Sequence, residues 1–113
     1  RLEKPLDCFV QINISEEPNK QGIPLNKTKT FIKSLAKFTK IRVIGLMCIA
    51  KFTCEVDVLK AQFEKMQKMQ KEIEAMNLDY APCHDLSMGM SNDYKIALQY
   101  GATYIRLGRI FLE

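Results

Sequence analysis

Ser87-Met88-Gly89-Met90-Ser91 places two hydroxyls around a glycine, directly ahead of a segment with helical character. Hydroxyls, the unpaired amides of a helix start and a glycine that admits close approach to the main chain together suit a phosphate ester. The same residues also suit a purely structural arrangement in which Ser91 caps the helix and Gly89 makes the turn, and the residues alone carry both readings equally. Arg106-Leu107-Gly108-Arg109 repeats the theme further along. Arg106 offers a planar set of donors to an acceptor, and Gly108 clears space for main-chain contact. An arginine in a strand that faces a cleft needs a partner, either a ligand acceptor or a carboxylate, because a buried unpaired charge is costly.

The other reactive side chains form no such sets. Cys8, Cys48, Cys54 and Cys83 contain no C-x-x-C pair, and Cys8 and Cys48 fall in apolar runs where a thiol is usually a small buried hydrophobe. No zinc site is expected. His84 follows Cys83 without a second histidine or a paired thiol, so it reads as an ordinary packed or surface residue. Seventeen Lys and Arg against thirteen Asp and Glu leave a net charge of +4, carried by lysines along the helical segments. That pattern describes a solvated face. No nucleic-acid partner is expected, because the basic residues are not interleaved with aromatics and no RNA- or DNA-binding motif occurs. Mild positive charge does favour an anionic ligand.

Four strands and three helices are needed to hold these residues in place. Cys8 to Ile14 and Ile41 to Ala50 are apolar runs of strand length, and Gly45 marks a bulge or the close approach of another backbone. A short strand is expected around His84 to Ser87, since Pro82 interrupts the stretch before it, and another over Thr103 to Leu107. Between them lies a helix capped by Asn26, with Phe31, Ile32, Leu35 and Phe38 at helical spacing and Lys37 and Lys40 at its end. The next carries Leu59, Phe63, Met66, Met69, Ile73 and Met76 on one stripe; core packing is the favoured reading of this stripe over a Met-rich docking face. The last runs from Ser91 and Asp93 through Tyr100 and stops at Gly101. Strands and helices that alternate at this spacing define an α/β class with parallel pairing, and in such folds ligands gather at the carboxyl ends of the strands.

With 113 residues, 47% apolar and 27% charged, a single domain over residues 1–113 is expected. The longest apolar run, Val43 to Ala50, is too short to cross a bilayer, and Arg1 to Asp7 lack the layout of a secretory signal, so a cytoplasmic protein is expected.

Taken together, the motifs make a recognisable set. Gln11-Ile12-Asn13-Ile14, Asn19-Lys20-Gln21-Gly22-Ile23, Gly45-Leu46-Met47, Leu86-Ser87-Met88-Gly89-Met90-Ser91-Asn92-Asp93 and Gly101-Ala102-Thr103 leading to Ile105-Arg106-Leu107-Gly108 follow one another along the chain. The chain resembles the pyridoxal 5'-phosphate homeostasis family, whose fold is the (β/α)8 barrel shared with the amino-terminal domain of alanine racemases. The resemblance implies a pyridoxal-phosphate carrier without catalytic turnover of its own, serving PLP-dependent client enzymes. It further implies phosphate contacts from Ser87, Met88, Gly89 and the backbone of Gly108 and Arg109, and Arg106 directed at the pyridine nitrogen. An arginine there disfavours a protonated ring nitrogen and weakens the cofactor as an electron sink.

Two departures stand out. The family's covalent lysine lies on an early strand, and no lysine here occupies its motif. Where the family carries Ser or Thr after Arg-Leu-Gly, this chain has Arg109, a guanidinium in place of a hydroxyl. The expectation is therefore the carboxyl-terminal half of a TIM-type barrel, four strands of eight, whose open sheet edges favour self-association. Two other functions are compatible with these residues. An alanine-racemase-type enzyme needs a second acid-base group from another domain, and a protein-interaction module would use the lysine-rich helices with the phosphate site vestigial.

Overall fold

The structure is a computed structural model, and it describes residues 6–14, 22–49, 55–90 and 93–106, with Arg106 as main chain only. Strand β1 (Leu6–Asn13) is followed by a two-residue strand β2 (Ile23–Pro24), helix α1 (Thr28–Ser34), strand β3 (Ile41–Met47), helix α2 (Val56–Glu74), strand β4 (Asp85–Met90), helix α3 (Tyr94–Gln99) and strand β5 (Tyr104–Arg106). All pairings are parallel, and the order across the sheet is β2-β1-β3-β4-β5. The α/β class expected from the alternating pattern is the class observed.

The strand count differs from the expected four. Ile23 and Pro24, read as the end of a loop, pair in parallel with Ile12 and Asn13. Proline has no N–H to give a ladder, so it is tolerated at this edge and would not be inside the sheet. Gly22, at φ +117°, lets the returning chain pass close to β1: a Cβ there would stand 2.8 Å from the Asn13 amide nitrogen. Asn26 does not cap α1. It lies in a 3₁₀ turn, Leu25–Lys27, and the helix starts at Thr28, whose hydroxyl donates to the Pro24 carbonyl at 3.1 Å. A second 3₁₀ turn, Leu35–Lys37, closes the segment, so Lys37 ends it and Lys40 lies beyond.

Alternation along the strands sorts their side chains onto two faces. Val10, Ile12, Val43, Leu46, Leu86 and Met88 are buried against a helix layer that contributes Ile32, Leu59, Phe63, Met66, Ile73 and Ala97. Met69, and Met76 just past the end of α2, pack partly buried on the same cluster, so the methionine stripe is the core face of the helix and of the turn that follows it. Burying a residue such as Phe63 contributes about 1.5–3 kcal/mol relative to leaving it in water.

Gly45 answers to both readings made of it. The β1–β3 register slips between Cys8 and Phe9, and a Cβ on Gly45 would stand 2.4 Å from the Asp85 carbonyl oxygen and 2.8 Å from the Phe9 ring. Phe9 meets Tyr104 edge to face, with centroids 5.3 Å apart, although β3 and β4 lie between their strands. On a flat sheet three strand spacings amount to about 14 Å. The sheet therefore curls toward this face, and the two side chains lean inward over the space that glycine leaves open.

Two further ties hold β4 in place. Gln70 of α2 donates from Nε2 to the Cys83 carbonyl at 2.8 Å and to Glu74 Oε1 at 3.2 Å, while Glu74 Oε2 lies 2.6 Å from His84 Nδ1. On either side of Pro82 the chain already bonds to β3, since Val43 donates to Tyr80 and Cys83 donates to Val43. On the other side of β4, the Thr103 hydroxyl accepts the Leu86 amide at 2.9 Å, and the Thr103 amide donates to the Leu86 carbonyl at 2.8 Å.

Candidate functional site

Helices cover one face of the sheet and the concave face lies opposite. Register aligns Gln11, Met47, Ser87 and Tyr104 across that concave face, with Phe9, Gly45 and Asp85 in the next row. Ser87 is half-buried between the buried Leu86 and Met88, so its hydroxyl faces away from the helices. The strand expected around His84 to Ser87 runs on to Met90, because the chain stays extended through a bulge: the β4–β5 register shifts between Ser87 and Met90.

Gly89 sits in that bulge at φ +103°, where a Cβ would stand 2.8 Å from Ala97 Cβ and 3.3 Å from Tyr94 Cα. The side of Gly89 that a side chain would occupy is thus filled by α3, and its main chain is what remains for any ligand. The Met88 side chain is buried in the core, so Met88 likewise has only its main chain to offer. Arg106 ends β5 in register with Met90. Ser87, Met88, Gly89 and Arg106 therefore come together at the carboxyl ends of two neighbouring strands. Gly108, Arg109 and Ser91 lie outside the described residues.

Sequence reasoning missed the part played by Asp93. Read there as a helix opener, it is the N-cap of α3 but makes no side-chain bond into the helix. Its carboxylate turns back and accepts the Met90 amide at 2.7 Å, while its own amide donates to the Met90 carbonyl at 3.1 Å. The spacing of three residues after the strand was the available signal, since Asp and Asn commonly bond main-chain groups a few residues away.

An apolar cavity of about 410 Å³ opens elsewhere, along the flank of β1 beside α1, where Cys8, Val10, Phe31 and Leu35 line it. It contains none of Ser87, Met88, Gly89 or Arg106 and belongs to the helix side of the sheet edge. Among the described residues no cluster of His, Cys, Asp and Glu is arranged to hold a metal ion. Cys48 and Cys83 are buried, and burial, followed by the nearby Glu74 and Asp85 charges, pushes the Cys83 thiol up to about 12. At that value it is inert as a nucleophile near neutrality. No helix of the described residues is long and apolar enough to cross a membrane.

A parallel, curled α/β sheet with polar residues at its carboxyl rim defines the class, and the sequence assigns the family. The family model for the alanine racemase N-terminal domain matches residues 1–112, and the chain belongs to that family. Among curated relatives it is similar to the pyridoxal phosphate homeostasis protein of Pasteurella multocida, 33% identical over 106 residues, which is 94% of this chain and 45% of the relative. The protein of that name from Escherichia coli K12 is 34% identical over 104 residues, 92% of this chain and 43% of the relative. Among solved structures, an unknown protein from Bifidobacterium adolescentis superposes with TM-score 0.87 at 25% identity, over 93% of this chain and 42% of that one. PipY of Synechococcus elongatus with PLP bound superposes with TM-score 0.77 at 25% identity, over 93% of this chain and 48% of that one. The chain spans less than half the length of these relatives.

Proposed function

We propose that this chain forms part of a pyridoxal 5'-phosphate site and acts in handling the cofactor, holding and releasing it to PLP-dependent client enzymes rather than turning over a substrate. The observation that carries this reading is the meeting of Ser87, the main chain of Met88 and Gly89, and Arg106 at one rim of the concave face. A hydroxyl beside strand-end main chain fits a phosphate ester, and an arginine position ends the neighbouring strand. Asp85 lies one row from Ser87 on the same face, and the Asp93 carboxylate already takes the Met90 amide. The naming of the relatives and the PLP held by the PipY neighbour support the choice of ligand.

In this reading Ser87, Met88, Gly89, Gly108 and Arg109 contribute to holding the phosphate, and Arg106 addresses the pyridine ring. When bound, the cofactor supplies an aldehyde that reacts with amines, and the chain's own residues anchor its anionic end. Arg106→Glu is expected to weaken PLP binding through charge, and Gly108→Val by filling the space beside the backbone. Absorbance titration of each variant checks this; unchanged affinity in both, with the fold retained, would mean the site lies elsewhere.

The chain also self-associates in this reading. Among the described residues β1 pairs with β2 only at Ile12 and Asn13, so on that side its main chain from Leu6 to Gln11 has no strand beside it. An open parallel edge of this kind is a template for a further strand.

A further inference from the structure

Asp93 occupies an unusual place for a helix-capping residue. Its side chain leaves the first turn of α3 alone and reaches back to the end of β4. Asp93 is buried, at 7% exposure, while Met90 is exposed, and the carboxylate and the Met90 amide form a part-buried bond of 2.7 Å. Charge-assisted bonds of this length are about twice as strong as neutral ones. The Asp93 carbonyl in turn accepts the amides of Ile96 and Ala97, and Ala97 is the residue that presses on Gly89. One residue thus joins the last position of β4, the start of α3 and, through Ala97, the glycine of the bulge.

Resting on the phosphate reading given above, we propose that Asp93 is a positioning residue, whose carboxylate, by taking the Met90 amide, fixes the main chain at the end of β4 in the form that receives a phosphate. It touches no ligand itself. A main-chain anion site needs its amides held in one arrangement before the ligand arrives, because ordering them at the moment of binding subtracts from affinity. With the Met90 amide held by Asp93, the conformation from Ser87 to Gly89 is bounded at its far end, just as the Thr103 bonds to Leu86 bound it at the near end.

The test compares wild type, Asp93→Ala and Asp93→Asn in the full chain. PLP and, separately, inorganic phosphate as its competitor are titrated by absorbance, and hydrogen exchange of the Met90 amide is followed without ligand. Asp93→Ala is expected to speed Met90 exchange and to lower PLP affinity about tenfold, the scale of one lost bond to a charged group. Asp93→Asn keeps an oxygen in the same place and is expected to stay within about threefold of wild type, a rescue that a general loss of stability would not give. If Asp93→Ala does not fold, Asp93→Glu replaces it, since the charge is kept while the acceptor moves by one methylene; the same loss of affinity is expected. Wild-type affinity in Asp93→Ala or Asp93→Glu despite faster Met90 exchange overturns the positioning role and leaves the phosphate reading standing. A wild-type chain that takes up neither PLP nor phosphate overturns the phosphate reading, and the role of Asp93 with it.

Discussion

Gly89, within β4, and Cys83, just ahead of it, lie six positions apart, and their environments dictate opposite tolerances. Gly89 combines φ +103° with a Cβ position 2.8 Å from Ala97, so a side chain there meets both backbone strain and a packed helix. Gly89→Ala is expected to lower stability by about 2–3 kcal/mol, summing the cost of positive φ and of overpacking, and denaturant unfolding measures it. In the sequence Gly89 offers a turn or room for an anion; the packing of α3 against it is not legible there, because α3 reaches it only once β4 and α3 are packed. Cys83 adopts φ 51° and is fully buried, with its thiol pushed up to about 12 chiefly by burial. Cys8, on the rim of the β1 cavity, is only partly buried. A thiol reagent at pH 8 is therefore expected to modify Cys8 under native conditions and to reach Cys48 and Cys83 only on unfolding. Native modification of Cys83, identified by peptide mass, would contradict that environment.

At the scale of elements, α2 is the part most readily read from the chain and also the part that hid most. Its apolar stripe gave the buried face correctly from spacing alone, because period 3.6 against a sheet leaves little choice. Gln70, buried among that stripe's neighbours, carried no such signal; its value depends on the Cys83 carbonyl, thirteen residues away in sequence and 2.8 Å away in space. Gln70→Ala would leave that carbonyl unpaired in the interior, at a cost of about 1–3 kcal/mol in unfolding free energy. Glu74, one turn on, is held below the usual carboxylate range first by its hydrogen bond to His84 and further by Gln70. A carboxyl with a lowered folded-state value contributes stability above its unfolded value and loses it as the pH falls through the folded one. Acidification below the ordinary carboxylate range is expected to loosen this tie, and Glu74→Gln to remove the part of the acid dependence it carries; identical pH profiles for the two proteins would contradict it. The pair is exposed, so the effect is small. Strand β2 was missed for a different reason. Two residues ending in proline give no periodicity, and only the return past Gly22 brings them beside β1.

At the scale of the whole molecule, the described residues cover one side of the sheet with helices and leave the other side uncovered. The helices and the core close the convex face, whereas the concave face gathers Gln11, Met47, Ser87 and Tyr104 in one row under the rim where β4 and β5 end. Alternating strands and helices require crossovers but do not decide between helices on one face and on both; the order β1-β3-β4-β5 advances one way, so right-handed crossovers stack the helices on one side. The same asymmetry leaves the flank of β1 from Leu6 to Gln11 without a neighbouring strand among the described residues. Light scattering coupled to size exclusion is expected to find the chain associated; a monomer at all concentrations would contradict the edge pairing.

The most direct test of the whole reading is a titration of pyridoxal 5'-phosphate into the purified chain, followed by absorbance, with borohydride trapping and intact-mass analysis of the product. Saturable binding that inorganic phosphate competes away and that Ser87→Ala weakens, without a stoichiometric covalent adduct, is the expected result. Binding that is absent, or that ignores both phosphate and the loss of the Ser87 hydroxyl, would contradict the assignment of the β4 and β5 ends as a cofactor site.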